Sequence, residues 1–270
     1  MSERGMCLEG LTYENGSYTT RARKIFFLAK FFPSFFFYWR DLGIVYRASA
    51  KAKRSRYDTA DWAKSSLEVL CALERVGVQI EITGIDNFTC LDGPCVFIAN
   101  HMSTLETFVL PAIIAPFRDV TFVVKQSLVD YPVFRHVMRS RDPITVVRTN
   151  PRADLKAVLE GGAGRLKAGR SIIIFPQTTR TAGLDPAGFN TVGVKLAKRA
   201  NVAIVPIALK TDAWGNGRYL KDFGKIDRSK KVYFAFGKPL LVNDRGAEEH
   251  QEIMNFIASK LKIWNEKVIR

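Results

Sequence analysis

The chain reads as an α/β fold, a mainly parallel or mixed sheet flanked by helices. Two observations predict it. From about residue 58 onward, short runs of branched apolar residues alternate with longer segments of helical periodicity. In addition, 47% of the 270 residues are hydrophobic, enough for one substantial core, and α/β domains of this length often stay undivided. The expected organisation is a tail with an aromatic helical segment over 1–57, then one folded domain over 58–270.

The elements follow in order. Asp58 or Thr59 can cap a helix running to Val76 and stopped at Gly77. Residues 78–82 (VQIEI) alternate with period two, as a half-buried strand does. The runs 95–99, 120–124, 144–147 and 171–175 are short, apolar and rich in branched residues, which suits central strands covered on both faces. Asn150-Pro151 supplies a cap and a proline at the first helical position, opening a helix toward Lys167 that Gly161-Gly162 should weaken. Two more strands are expected at 202–207 and 232–236. A closing amphipathic helix over 247–267 carries Ile253, Phe256, Ile257, Leu261 and Trp264 near helical spacing.

Residues 25–46 (IFFLAKFFPSFFFYWRDLGIVY) are far more aromatic than the rest of the chain. Their longest uncharged run, 31–39, would cover about 14 Å as a helix, under half of a hydrocarbon core of about 30 Å. Lys30, Arg40 and Asp41 interrupt the longer stretch and Pro33 would kink a helix through it, so a spanning segment is disfavoured. A cleaved leader would use Arg21, Arg23 and Lys24 as its basic start, but the small-residue site Ala48-Ser49-Ala50 lies too far beyond Trp39. A buried core helix is the plainer alternative. The favoured reading is a helical pair lying in a bilayer interface, with Arg47, Lys51, Lys53, Arg54 and Arg56 facing anionic headgroups.

Lys and Arg number 41 against 26 Asp and Glu, a formal charge of +15, which attracts polyanions. The basic residues are spread along the chain and no nucleic-acid recognition motif appears, so an anionic phospholipid surface is the expected partner and nucleic acid is not. Cys7, Cys71, Cys90 and Cys95 form no C-x-x-C pair and no close histidine accompanies them, which argues against zinc and for reduced thiols in a cytosolic compartment. No metal or redox cofactor has visible ligands.

The chemistry concentrates after the run 95–99, in Asn100-His101-Met102-Ser103-Thr104-Leu105-Glu106. A polar cluster at the carboxyl end of a strand is where α/β sheets usually place ligand chemistry. Five residues apart on one helix, His101 and Glu106 would diverge by roughly 140°. With His101 on a loop and a helix starting near Ser103, the first turn can return Glu106 to the imidazole. Such a pair can take a proton from an alcohol attacking a carbonyl, the carboxylate fixing the tautomer and stabilising the imidazolium. No G-x-S-x-G elbow is present, so an ordinary serine hydrolase is not indicated. Ser103 to Glu106 also fits a capping box, in which Glu106 only satisfies backbone N–H groups; both roles can coexist.

Further motifs follow in order: Ile144-Thr145-Val146-Val147-Arg148, then Phe175-Pro176-Gln177-Thr178-Thr179-Arg180, then Ile204-Val205-Pro206-Ile207-Ala208. Together with Asn-His-x4-Glu they resemble the four sequence blocks of the glycerolipid acyltransferases, a family that includes the 1-acylglycerol-3-phosphate acyltransferases. The resemblance covers about 78–240. It implies His101 as general base, Glu106 as its orienting carboxylate, and Arg148 and Arg180 as partners of the acceptor's phosphate. Lys125 and Lys195 are weaker candidates for that phosphate role, and Phe175 to Thr179 form the acceptor loop. Each arginine could equally be a solvated surface charge. The implied co-substrate is an acyl-CoA or acyl carrier protein thioester, the implied acceptor a lysophospholipid, and the implied site of action the cytosolic face of a membrane, peripherally or monotopically bound. Two positions depart from the family pattern: Glu106 stands where Asp is usual, and Gln177-Thr178 where Glu-Gly is usual. The second departure puts the acceptor in doubt and leaves open a non-catalytic membrane-binding protein on the same scaffold.

Overall fold

The computed structural model describes residues 7–8, 11–21, 25, 27–132, 134–177 and 179–269. Three short strands come first, β1 (Cys7–Leu8), β2 (Leu11–Thr12) and β3 (Tyr18–Thr19), then helices α1 (Phe27–Phe31), α2 (Pro33–Lys53) and α3 (Thr59–Arg75). The alternating part runs β4 (Ile80–Thr83), α4 (Asp86–Thr89), β5 (Val96–Ala99), α5 (Leu105–Ile114), β6 (Val120–Lys125), α6 (Gln126–Asp130), α7 (Phe134–Ser140) and β7 (Ile144–Val146). It continues α8 (Pro151–Lys167), β8 (Ser171–Ile174), α9 (Val192–Ala200), β9 (Ile204–Lys210), β10 (Val232–Phe236) and α10 (Ala247–Ile269).

Eight strands form one mixed sheet in the order β3-β4-β10-β9-β5-β8-β6-β7. Strands β9, β5, β8, β6 and β7 run parallel, and the two antiparallel pairs are β9 with β10 and β3 with β4. The expected α/β class and sheet are therefore found. The short apolar runs have the physical cause inferred for them. Val96 and Ile98 of β5 pack with α8, α9 and α10, whereas Phe97 and Ala99 pack with α2, α3 and α5 on the other face. A strand covered twice has no polar side to show, so its alternation vanishes.

Local signals hold where they carry a backbone mechanism. Asp58 caps α3 in a reciprocal box with Asp61, and Gly77 leaves the helix at φ +99°. Asn150 accepts from the Ala153 N–H at 3.1 Å with Pro151 first in the helix. Gly162 has a reason that only packing shows: a Cβ there would lie 2.7 Å from the Leu196 methyls and 3.3 Å from Ile172, so its absence lets α8 approach α9 and the sheet.

The N-terminal region packs against the rest. Tyr18–Thr19 forms the sheet edge, Leu11, Tyr13 and Phe37 join the core, and the boundary drawn at 57/58 falls between α2 and α3, which pack on each other. Arg23 and Lys24 lie outside the described residues. Pro33 does not kink a helix; it stands first in α2 and separates it from α1. One stripe of α2 is buried, with Phe37, Asp41, Ile44, Ala48 and Ala52. The opposite stripe, Phe35, Trp39, Leu42 and Tyr46, is apolar and exposed, with Trp39 75% accessible. No helix of the described residues is long and apolar enough to cross a membrane. Two of the basic residues assigned to headgroups are held by α3: Arg47 pairs with Glu68 at 2.6 Å and Lys51 with Asp61 at 2.5 Å. Among the described cysteines Cys90 and Cys95 are free; the side chain of Cys7 lies outside the described residues.

Asp41 is the anomaly of α2. It is 4% exposed, its Oδ1 has no hydrogen-bond partner among the described residues, and burial pushes its pKa from the ordinary 3.8 up to about 7. Because folding raises this pKa, the cost of the charge is absent below the unfolded value and complete above about pH 7, reaching on the order of 4 kcal/mol. Denaturant unfolding from pH 4 to 8 is expected to show Asp41→Asn gaining stability relative to the wild-type chain as pH rises through that window. Parallel curves would contradict the assignment.

Candidate active site

Strand β5 lies between β9 and β8, and all three point the same way, so the loops leaving their carboxyl ends converge. The first loop is anchored by Asn100, fully buried, whose side-chain amide donates to the Leu209 carbonyl and accepts from the Leu209 N–H, both at 2.8 Å. A side chain thus adds one more rung between β5 and β9. It fixes where the chain turns, a more specific role than a generic turn residue.

His101 follows, with its side chain 13% exposed. Helix α5 starts at Leu105, so Glu106 falls in its first turn and swings back as the loop-then-helix arrangement requires: His101 Nδ1 and Glu106 Oε1 are 2.8 Å apart. Glu106 is completely buried. Its oxygens accept from the Met102 N–H (2.7 Å), the Ser103 N–H (2.9 and 3.1 Å) and the Thr211 hydroxyl (2.6 Å), with the Ser103 hydroxyl at 3.0 Å. Burial alone would push this carboxyl up. The bonds from His101, Thr211 and Ser103, with the charge of His101, outweigh it and hold the pKa below its ordinary value. A carboxylate can only accept, so Nδ1 carries the ring proton and Nε2 is the basic nitrogen. No protein group among the described residues takes Nε2 in a hydrogen bond. The helix-start role of Glu106 and its contact with the imidazole coexist.

The loop after β8 covers the ring. Phe175 stacks on His101 with centroids 4.5 Å apart and on Phe122 at 6.0 Å, which leaves the imidazole little room to rotate. Pro176 is buried and its carbonyl accepts from Asn190. Gln177 is 2% exposed. Its carbonyl oxygen accepts the His101 backbone N–H at 3.1 Å, and its amide donates to the Thr181 hydroxyl at 2.6 Å and toward the Gly183 carbonyl at 3.4 Å. The Thr181 N–H in turn donates to the His101 carbonyl at 3.0 Å. Gln177 therefore ties the loop after β8 to the histidine, and its NH2 makes a donation that a carboxylate cannot. Thr178 lies outside the described residues, and Thr179 is exposed.

The arginines are brought together. Arg180 Nη2 is 2.7 Å from Asp222 Oδ1, with Nη1 at 3.3 Å from Asn216 Oδ1. Arg148 sits at φ +65°, a left-handed conformation uncommon for a residue with a Cβ. Asp154, at the start of α8, holds that turn by accepting the Val147 and Arg148 N–H groups at 2.8 and 2.7 Å. The Arg148 pKa lies below arginine's ordinary value, chiefly through desolvation, with Asp154 opposing and the charge of Arg180 adding to the shift. Two guanidinium groups that repel each other form a position an anion relieves. Lys125 ends β6 at the same sheet edge but is exposed, and Lys195 is exposed on α9. No hydrogen bond or ion pair joins either to His101, Glu106 or Arg180 among the described residues, because strand ends and helix faces point long lysines at solvent. Thr211, Asn216 and Asp222 escaped the sequence reading. They come from beyond β9, more than 100 residues from His101, and no local motif marks them.

A cleft of about 1090 Å³ opens between α2, α3 and the far end of α5, lined by Arg40, Arg47, Lys64 and Ala115 among others. It is roughly 14 Å along α5 from Glu106 and is not the His101 site.

With the geometry fixed, comparison with known proteins shows what the chain resembles. The Acyltransferase family model matches residues 79–210. That segment is similar to the acyltransferases. The chain is 30% identical over 155 residues to the 1-acyl-sn-glycerol-3-phosphate acyltransferase of Pseudomonas aeruginosa, covering 57% of this chain and 58% of that protein. It is 30% identical over 139 residues to a 1-acyl-sn-glycerol-3-phosphate acyltransferase of Chlamydomonas reinhardtii, covering 52% of this chain and 41% of that protein. It thus spans about half the length of these curated relatives. The crystal structure of the 1-acyl-sn-glycerophosphate (LPA) acyltransferase PlsC from Thermotoga maritima superposes with TM-score 0.66 at 16% identity, over 87% of this chain and 95% of that one, which establishes the shared fold.

Thr211→Val keeps the shape and removes the hydroxyl donated to buried Glu106. Denaturant unfolding is expected to show a loss of about 1–3 kcal/mol. An unchanged midpoint would mean that the carboxylate does not depend on this bond.

Proposed function

We propose that the chain is an O-acyltransferase that moves a fatty acyl group from an acyl-CoA or acyl carrier protein thioester to the free hydroxyl of a lysophospholipid, with 1-acylglycerol-3-phosphate as the favoured acceptor. The observation that carries this reading is the His101–Glu106 pair, with Nδ1 engaged and Nε2 left available on the sheet edge that also carries two arginines. The names of the relatives support the same acceptor.

In this scheme the acceptor's phosphate lies against Arg180 and Arg148, and its hydroxyl faces Nε2 of His101. As the hydroxyl oxygen attacks the thioester carbonyl, Nε2 takes its proton, and the Glu106 carboxylate stabilises the imidazolium. The C–S bond breaks as the ester C–O bond persists, and the imidazolium returns the proton to the departing thiolate. The substrate brings its own nucleophile, so no protein serine is needed. Gln177 serves here by holding the histidine loop, which argues against a decayed site and for catalysis.

The acceptor is an amphiphile held in a bilayer, and the exposed aromatic stripe of α1 and α2 fits peripheral or monotopic seating in an anionic interface at the cytosolic face. Nucleic acid has no part in this reading.

Purified protein given acyl-CoA and lysophosphatidate vesicles is expected to form phosphatidate, detected by mass spectrometry. His101→Ala should lower turnover by about 10²–10⁴. Arg180→Ala should raise KM for the phosphorylated acceptor about tenfold or more while leaving the thioester KM alone. Undiminished transfer by His101→Ala would overturn the mechanism.

A further inference from the structure

The segment joining β9 to β10 is a built excursion. Its neck is closed by a bridge between Trp214 and Ile226 and by the Gly215 N–H donating to the Lys225 carbonyl at 3.0 Å. A Cβ on Gly224 would collide with the Gly215 carbonyl, so the two strands of the neck touch backbone to backbone. Inside it, Gly217 donates to the Lys221 carbonyl at 3.2 Å and Phe223 to the Leu220 carbonyl at 2.9 Å. Yet its tip exposes apolar side chains, Tyr219 at 90% and Leu220 at 61%, between Arg218 and Lys221. A closed loop that presents an aromatic and an aliphatic residue flanked by cations has the composition of an interfacial insertion.

Two sets of contacts give the tip a purpose. On one side it packs on α2: Phe223 meets Tyr38 at 5.4 Å, the Tyr38 hydroxyl donates to the Gly224 carbonyl, and buried Trp214 packs on buried Phe37 at 4.7 Å. On the other side the same few residues hold the site. Asp222 takes Arg180 at 2.7 Å and the Thr104 hydroxyl at 3.1 Å, and Asn216 donates to the Met102 carbonyl at 3.2 Å.

We propose that residues 214–226 are a second membrane-contacting element, in which Tyr219 and Leu220 insert into the leaflet beside α1 and α2 while Asp222 sets Arg180 where an emerging anionic headgroup meets it. The occupant is an anionic phospholipid bilayer, chosen by the flanking cations Arg218 and Lys221 and by the packing of the loop on Tyr38, next in the chain to exposed Trp39. Asp222 is a positioning residue, acting on the acceptor through Arg180. This deepens the acyltransfer reading and depends on it for the identity of the headgroup, whereas the insertion itself stands on the loop alone.

The test is sedimentation with phosphatidylcholine–phosphatidate vesicles, comparing the full chain with the double variant Tyr219→Ser, Leu220→Ser. Both side chains are exposed, so the thermal midpoint should not move. Vesicle affinity is expected to fall about tenfold or more, and KM for vesicle-borne lysophosphatidate to rise in step while kcat holds. Equal vesicle binding by the two proteins would overturn the insertion, and weaker binding with an unmoved KM would overturn the coupling to Arg180. Absence of transfer by the wild-type chain would instead sink the proposed activity and leave the binding comparison to decide the insertion.

Discussion

A carboxylate removed from water has to be compensated atom by atom, and Glu106 is compensated by groups the rest of the fold must deliver. Backbone N–H groups of Met102 and Ser103 come from the loop after β5, a hydroxyl from Thr211 past the end of β9, and the ring proton from His101. These donors meet only because β5 and β9 run side by side in the same direction with Asn100 locking their ends. The charge in turn dictates which nitrogen of His101 is protonated. Register, burial and tautomer are thus one constraint, and the polarity of the site follows from it.

Around that centre, each neighbouring loop restrains a different freedom. Phe175 limits ring rotation, Gln177 fixes the backbone of His101, and Asp222 fixes Arg180. The strained turn at Arg148 belongs to the same pattern, since a left-handed residue held by two bonds to Asp154 is a conformation the surroundings must enforce. The apolar surface of α2 follows a parallel logic. One stripe fills the core and the other faces outward, so both sides of the helix are apolar and its sequence looks uniformly aromatic.

Much of this was legible before any coordinates. Central strands declared themselves because double burial leaves nothing polar in them, and the helix starts at Asp58 and Asn150 because capping is a local transaction. The approach of His101 to Glu106 was readable because a loop and one helical turn fix it. What stayed hidden came from distance in the chain: Thr211, Asn216 and Asp222 reach the site across more than 100 residues, and Gly162 answers to a leucine on another helix. Lys125 and Lys195 illustrate the converse. Both are exposed, and a flexible side chain at an exposed position is not directed by its neighbours, so the fold alone does not place them. Gln177 was read as a loss, yet the structure gives it donors and acceptors suited to an amide.

The central claim is that Glu106 is ionised and holds the proton of His101 on Nδ1, leaving Nε2 as the base. Nitrogen-15 NMR of histidine-labelled protein near neutral pH tests it directly, with His101 assigned by its disappearance in a substituted chain. The expected spectrum shows His101 with a protonated Nδ1 and an unprotonated Nε2. A ring carrying its proton on Nε2, or averaging freely between the two tautomers, would contradict the account.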